Sequence, residues 1–202
     1  MKIICVGRNY KNHIKELNSD FPDRPVFFLK PESAVLRNNV FFLPDFSKNV
    51  HHEIEIVIRI NRLGRHIQAK FADRYYDAVG LGMDLTARDL QQDCKDKGLP
   101  WEISKAFDGS AVLSEFIPIE EVDDINNLNF SLQRNGKIVQ KGNTSDMIFG
   151  FSQIIEYVSK FMTLKIGDLI FTGTPAGVGR MESGDEYNAY LEDKEMISLD
   201  VK

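Results

Sequence analysis

The sequence predicts an α+β fold, rich in short strands and with a few short helices, and three features carry that expectation. Ile54, Ile56, Ile58 and Ile60 occupy alternate positions of a β-branched run that begins at His51, the pattern of a strand with one apolar face. Asn135-Gly136 divides the alternating stretch from Phe130 to Lys141 into a hairpin, because a tight two-residue turn needs left-handed backbone and this pair tolerates it. Helical spacing is confined to short stretches, the clearest being Ser152 to Met162, where Ile154, Ile155, Val158 and Phe161 share a face.

Length and charge bound the function. With 202 residues, 43% of them hydrophobic, the chain can bury one substantial core, and a single catalytic domain over residues 1–202 is expected. Its 25 basic and 30 acidic residues give a net charge of -5 without a basic stripe, so nucleic acid is not an expected partner. Cys5 and Cys94 match no CxxC or zinc spacing and are expected to be reduced thiols in a cytoplasmic protein. Ile3 to Val6 is too short for a signal-peptide core, and no run approaches membrane-spanning length, so no membrane partner is expected either.

Taken in order, Lys2 to Val6 is an apolar strand turned at Gly7, and Arg8 to Leu17 has the spacing of a short helix. On that helix His13 and Glu16 stand three residues apart, so the carboxylate can orient the imidazole as a base toward water. The Pro- and Asp-containing stretch from Asn18 to Pro25 is a loop that would let the helix open and close over a site. Val26 to Pro31 and Val40 to Pro44 are apolar strands ended by proline, both expected in the core. A helical turn at Ala72 to Asp77 leads into an apolar strand from Ala78 to Leu85. Thr86 is expected to cap a helix that stops at Gly98, with Arg88 and Gln91 on one face directed toward Asp84. Leu99 to Phe107 is a loop of large apolar groups around Lys105, able to hold an ammonium against carboxylates. The strand Asp168 to Phe171 precedes a Gly- and Thr-rich turn, Thr172 to Gly179, that offers backbone and hydroxyl donors to an anion. A last hairpin closes the chain.

The chemistry gathers around the isoleucine strand. Glu53 and Glu55 lie on the face opposite the isoleucines, roughly 7 Å apart along the backbone and able to converge on one ion. A solvated polar face is the ordinary alternative for such alternation. Asp84 ends an apolar strand, where a carboxylate is costly to bury unless paired, protonated or metal-bound; it is the best candidate for a third ligand.

Gly7-Arg8-Asn9-Tyr10 with His13 and Glu16, Phe28-Leu29-Lys30-Pro31, His51-His52-Glu53-Ile54-Glu55, Asp84-Leu85-Thr86-Ala87-Arg88-Asp89 and Thr172 to Gly179 together resemble the fumarylacetoacetate hydrolase family. Lys97-Gly98-Leu99-Pro100-Trp101, leading to Lys105-Ala106-Phe107-Asp108, is similar to its short acylpyruvate hydrolase and oxaloacetate decarboxylase branch. The resemblance implies a rolled mixed β-sheet, a homodimer, and one Mg²⁺ or Mn²⁺ held by Glu53, Glu55 and Asp84. It further implies His13 and Glu16 as a lid dyad, Lys105 as the active-site lysine, and Arg88, Gln91 and Thr174 around a small 2-oxo acid or diacid. Glu32 departs from the small hydroxyl residue often found there, which bears on the substrate's distal end. The expected activity is acylpyruvate hydrolysis or oxaloacetate decarboxylation through a metal-stabilised enolate. Isomerisation of a hydroxymuconate-type diacid is the alternative among enzymes, and metal-dependent dicarboxylate binding the alternative without catalysis. His13 and Lys105 argue against simple binding, which needs neither a base nor an oxyanion donor.

Overall fold

The isoleucine strand lies inside the largest sheet of the computed structural model, which describes residues 1–16 and 20–202. Leu17 at the end of the expected first helix, and Asn18 and Ser19 at the start of the expected loop, lie outside the described residues. In chain order the elements are β1 (Lys2–Gly7), α1 (Lys11–Glu16), β2 (Val26–Pro31), β3 (Val40–Phe41), β4 (Val50–His52), β5 (Ile54–Ile60), β6 (Tyr76–Asp84) and β7 (Thr86–Ala87). Then follow α2 (Arg88–Lys97), α3 (Glu102–Lys105), β8 (Ala111–Leu113), β9 (Ile117–Pro118), β10 (Asn129–Arg134), β11 (Lys137–Asn143), α4 (Phe151–Phe161), β12 (Leu169–Phe171), β13 (Gly179–Arg180), β14 (Glu186–Leu191) and β15 (Lys194–Val201).

Three curled, mostly antiparallel sheets result. The largest runs β2-β1-β12-β5-β6-β8 with β9 also on β6, the second β11-β10-β14-β15-β3, and the smallest β13-β4-β7. Among the described strands, β1 with β12 and β15 with β3 pair in parallel. Between the two large sheets and α4 lies the main core, to which Ile54, Ile56 and Ile58 contribute with Leu132, Tyr187 and Ile155. A second cluster of Ile3, Cys5, Val57, Leu169 and Phe171 covers the opposite face of the central strands. Both faces of β5 are therefore buried, and the solvated-face reading of its glutamates does not hold. No helix among the described residues is long and apolar enough to cross a membrane.

Several expectations shift at the sheet margins. β2 is an edge strand whose Leu29 is 38% exposed, while its lysine, Lys30, is fully buried; Phe42, just past β3, is 70% exposed. Apolar composition marked these stretches as core, but an edge position leaves one side without neighbours. The strand expected from His51 to Ile60 divides at Glu53, because β4 joins the smallest sheet while β5 enters the largest. Thr86 belongs to β7 rather than capping α2, and its hydroxyl donates to the Asp84 carbonyl at 3.0 Å. Gly98 does end that helix, in the left-handed conformation (φ 65°) that glycine adopts without cost. Within the expected loop from Leu99 to Phe107 a single turn, α3, carries Lys105.

Candidate metal and substrate site

The end of the β5–β6 pair builds the acidic cluster. Ile54 faces Met83 and Glu55 faces Gly82 across this antiparallel ladder, and the Asp84 N–H donates to the Glu53 carbonyl at 2.9 Å. Residues paired across such a ladder point to the same face, so Asp84 meets Glu53 while Glu55, two residues on, joins them. One oxygen from each carboxylate lies within 4.8 Å of the others, and the residues are only 5%, 2% and 1% exposed.

Cations answer two of these carboxylates. Lys105 Nζ donates to Glu53 Oε2 at 2.9 Å, Asp84 Oδ2 at 2.7 Å and the Thr86 hydroxyl at 2.6 Å. Arg88 donates to Glu53 Oε1 and, at 2.7 Å, to Gln91 Oε1, so this pair addresses Glu53 rather than Asp84 as expected. Lys30 Nζ sits 2.8 Å from Asp84 Oδ1 and donates to the Lys105 and Ser110 carbonyls. Burial would raise the Glu53 pKa, yet Lys105 and Arg88 outweigh it and hold that carboxyl well below the usual range. Burial likewise opposes the Lys105 ammonium, but Asp84 and Glu53 prevail and raise its pKa, so it is charged.

Glu55 is different. Burial, then Asp84 and Glu53, push its pKa well up, and its hydrogen-bond donor is the Gly173 N–H at 2.6 Å, with no ion pair among the described residues. Asp84 Oδ1 is buried without a hydrogen-bond donor, since the Lys30 contact is close but not aligned. A buried carboxylate lacking a cation beside an oxygen lacking a donor is the arrangement a hard divalent ion completes. The residues present fit such an ion.

α1 brings the dyad. His13 Nδ1 pairs with Glu16 Oε2 at 3.0 Å, and Glu16 Oε1 accepts from the Gly177 N–H at 3.0 Å, docking the helix under the Gly-rich turn. Asn9 anchors the start of this segment: its side chain donates to the Phe149 and Thr172 carbonyls and accepts from the Phe149 N–H. Thr174 is held by Gln140, whose amide donates to its hydroxyl and to the Pro175 carbonyl, both at 2.9 Å. The other end of Gln140 accepts from the Ile54 N–H at 3.0 Å, so one side chain ties the turn to β5. His13, Glu53, Glu55, Asp84, Lys105 and Thr174 all line one cavity, with Arg88 and Gln91 on its wall. Its volume of about 40 Å³ holds a few waters, so a 2-oxo acid enters only if side chains move. Glu32 lies outside it, paired with the N-terminal amine at 3.1 Å.

Sequence reasoning missed Lys30, Asn9 and Gln140. Lys30 sat in an apolar run, Asn9 at the start of the expected helix from Arg8, which begins instead at Lys11, and Gln140 in a hairpin taken as scaffold; a polar side chain at an inward position of a strand is the signal that marks two of them.

With this geometry in view, the chain matches the family described as fumarylacetoacetate (FAA) hydrolase C-terminal over residues 2–202. The mitochondrial oxaloacetate tautomerase FAHD1 of Bos taurus is 44% identical over 188 residues, covering 93% of this chain and 85% of that protein. The mitochondrial oxaloacetate decarboxylase of Dictyostelium discoideum is 45% identical over 185 residues, covering 91% and 85%. The structure of fumarylpyruvate hydrolase from Pseudomonas aeruginosa in complex with Mn²⁺ and pyruvate matches with a TM-score of 0.95 at 35% identity, covering 100% of this chain and 89% of that one.

Proposed function

This chain belongs to the fumarylacetoacetate hydrolase family, and from that premise we propose that it converts oxaloacetate and related 2-oxo acids through their enolates. It is an enzyme with a divalent-metal cofactor, and the observation that carries the reading is the convergence of Glu53, Glu55 and Asp84 in one buried cavity with His13 and Lys105. Three carboxylates and no sulfur ligand favour Mg²⁺ or Mn²⁺ over zinc. When bound, the ion supplies Lewis-acid polarisation of the 2-oxo oxygen.

The protein's own groups do the rest. His13, oriented by Glu16, moves the C3 proton of oxaloacetate between keto and enol forms, or takes a proton from water that attacks an acylpyruvate at C4, after which the C3–C4 bond breaks to leave a carboxylic acid and the pyruvate enolate, which is protonated at C3. Decarboxylation needs no attacking water, and a hydroxymuconate-type isomerisation needs proton movement alone. Lys105, charged and buried, donates to the oxygen on which negative charge develops. Arg88, Gln91 and Thr174 hold the substrate's polar groups on the cavity wall. The dyad favours hydrolysis as a second reading, because a base paired with a carboxylate is what an attacking water requires.

The same proposal includes a cytoplasmic single-domain enzyme without nucleic-acid or membrane partners, acting as a homodimer for which Leu29, Phe42 and Ile103 offer exposed apolar surface. Ultraviolet assays with Mg²⁺ on acetylpyruvate, enol oxaloacetate and a hydroxymuconate diacid test the activity. Turnover of at least one, abolished by chelator and restored by metal, is expected; turnover indifferent to chelator, or none, overturns it.

A further inference from the structure

The cavity holds two more cations than the acidic cluster uses. Arg8 and Lys95 line its wall beside Trp101. Among the described residues neither joins an ion pair, whereas Lys30, Arg88 and Lys105 are all engaged with Glu53 or Asp84. Arg88, Gln91 and Lys95 follow one another at helical spacing on α2 and so form one stripe. Lys95 lies a turn beyond Gln91, about 6 Å further along the axis, a step comparable with the separation of the two carboxylates in a short diacid.

An aromatic neighbour holds Lys95, and the backbone sets where Arg8 leaves the chain. The Lys95 ammonium rests 5.6 Å from the centre of the Trp101 ring, which packs on Phe28 at 6.0 Å, and Phe28 in turn lies 5.0 Å beneath Lys105. One aromatic wall thus runs from the acidic cluster to the outer cation. Arg8 adopts φ 58° where β1 gives way to α1, a left-handed conformation that is unfavourable for a non-glycine residue. Half-burial, followed by repulsion from Arg88 and Arg8, lowers the Lys95 pKa. Such crowding of like charge is unfavourable until an anion enters.

We propose that Arg8 and Lys95 form the subsite for the second, distal carboxylate of a 2-oxo diacid, so that the enzyme selects diacids over 2-oxo acids with a neutral distal end. This rests on the reading of the inner cavity as a metal-dependent 2-oxo acid site. The end of the substrate away from the acidic cluster then meets a pair of cations and an aromatic wall, and an uncharged acyl group leaves both cations unanswered.

Calorimetric titration of the Mn²⁺-loaded protein with pyruvate and with 2-oxoglutarate tests the subsite without turnover. The unsubstituted protein is expected to bind the diacid at least about tenfold more tightly. Lys95→Met, which keeps the aliphatic stem against Trp101, should remove most of that advantage and leave pyruvate affinity within a factor of two or so. Arg8→Asn, which tolerates the left-handed backbone, should do the same independently, with circular dichroism verifying the fold of each variant. If both acids bind and their affinity ratio is unchanged in both variants, the subsite is wrong while the metal site stands. Absence of binding by either acid to the unsubstituted protein overturns the inner-site reading, and the subsite with it.

Discussion

β5 and β14 are both alternating strands inside large sheets, yet only one of them behaves as alternation alone would suggest. In β14, Tyr187, Ala189 and Leu191 are buried while Glu186 is exposed and Asn188 and Tyr190 are half-buried. In β5 the isoleucines are buried, and so are Glu55 and Val57 on the other face. What differs is the covering. β5 lies between β12 and β6, with a second apolar cluster over its far side, whereas β14 belongs to a sheet with one packed face. Alternation fixes which residues share a face; topology decides whether that face sees water.

The charges beside the two strands repeat the contrast. Asp185, just before β14, accepts from Arg134 at 2.8 Å, Asn135 at 3.0 Å and the Glu182 N–H at 2.7 Å, a complete set. At β5 the set is incomplete among the described residues, with Glu55 in no ion pair and Asp84 Oδ1 without an aligned donor. A satisfied cluster is a structural device, and an unsatisfied one in a cavity is a place for a ligand.

Asp84→Ala breaks the comparison most severely. It removes one of the three carboxylates proposed to hold the metal and also leaves Lys30 and Lys105 buried without that carboxylate. Metal binding and activity should be lost, and stability should fall by about 3–5 kcal/mol, the cost of an orphaned buried charge. Titration with Mn²⁺ and urea denaturation check both parts. Unchanged Mn²⁺ affinity would exclude Asp84 as a ligand.

Next in size is His13→Ala, expected to slow acylpyruvate cleavage by about 10²- to 10⁴-fold, the usual contribution of a positioned base, at unchanged metal affinity. Oxaloacetate decarboxylation should lose much less, because it uses no attacking water. Equal losses in the two reactions would instead make the residue part of the closing helix, whose Glu16 is docked on Gly177.

Smaller still is Gln140→Leu, which leaves the Ile54 N–H without its acceptor and Thr174 without its donor. A loss of about 1–3 kcal/mol in urea stability is expected, the cost of stranding a buried polar group. If KM and stability both stay unchanged, Gln140 does not hold the Thr174 turn against β5.

Most of the fold and the acidic cluster were legible because both rest on local rules. The hairpin at Asn135-Gly136 (φ 51° and 75°) follows from turn chemistry. Glu53, Glu55 and Asp84 follow from strand period and the cost of an acid at the end of an apolar strand. Lys30 and Gln140 were not legible, because Lys30 meets Asp84 from 54 positions away and Gln140 meets His52 from 88, and such partners emerge from topology rather than from neighbours in sequence. α3 escaped notice for a related reason: a helix of 4 residues is held by tertiary contacts, not propensity.

The gentlest test reads the two clusters through pH, where they carry opposite signs. Burial and its acidic neighbours raise the folded-state pKa of Glu55 above the ordinary 4.5. The metal-free folded protein therefore binds a proton that the unfolded chain has released, and stability is lost as pH rises through the folded value. Burial would raise Asp185 too, but the Arg134 hydrogen bond and its companions win and lower it, so its contribution is present above the ordinary 3.8 and lost as pH falls. His51 also acts with this second sign, since burial and then Arg88 hold it down to about 4. The difference between the unsubstituted protein and Glu55→Gln isolates Glu55 from the others. In urea denaturation without metal, Glu55→Gln should gain relative stability steadily as pH rises above the carboxylate range, whereas Asp185→Asn should cost at most about 1 kcal/mol, and only above that range. Saturating Mn²⁺ should abolish the unsubstituted protein's loss of stability with rising pH, because the ion replaces the proton at Glu55. A difference between Glu55→Gln and the unsubstituted protein that is flat with pH would mean that Glu55 is ionised in the metal-free protein, and that another cation already answers it.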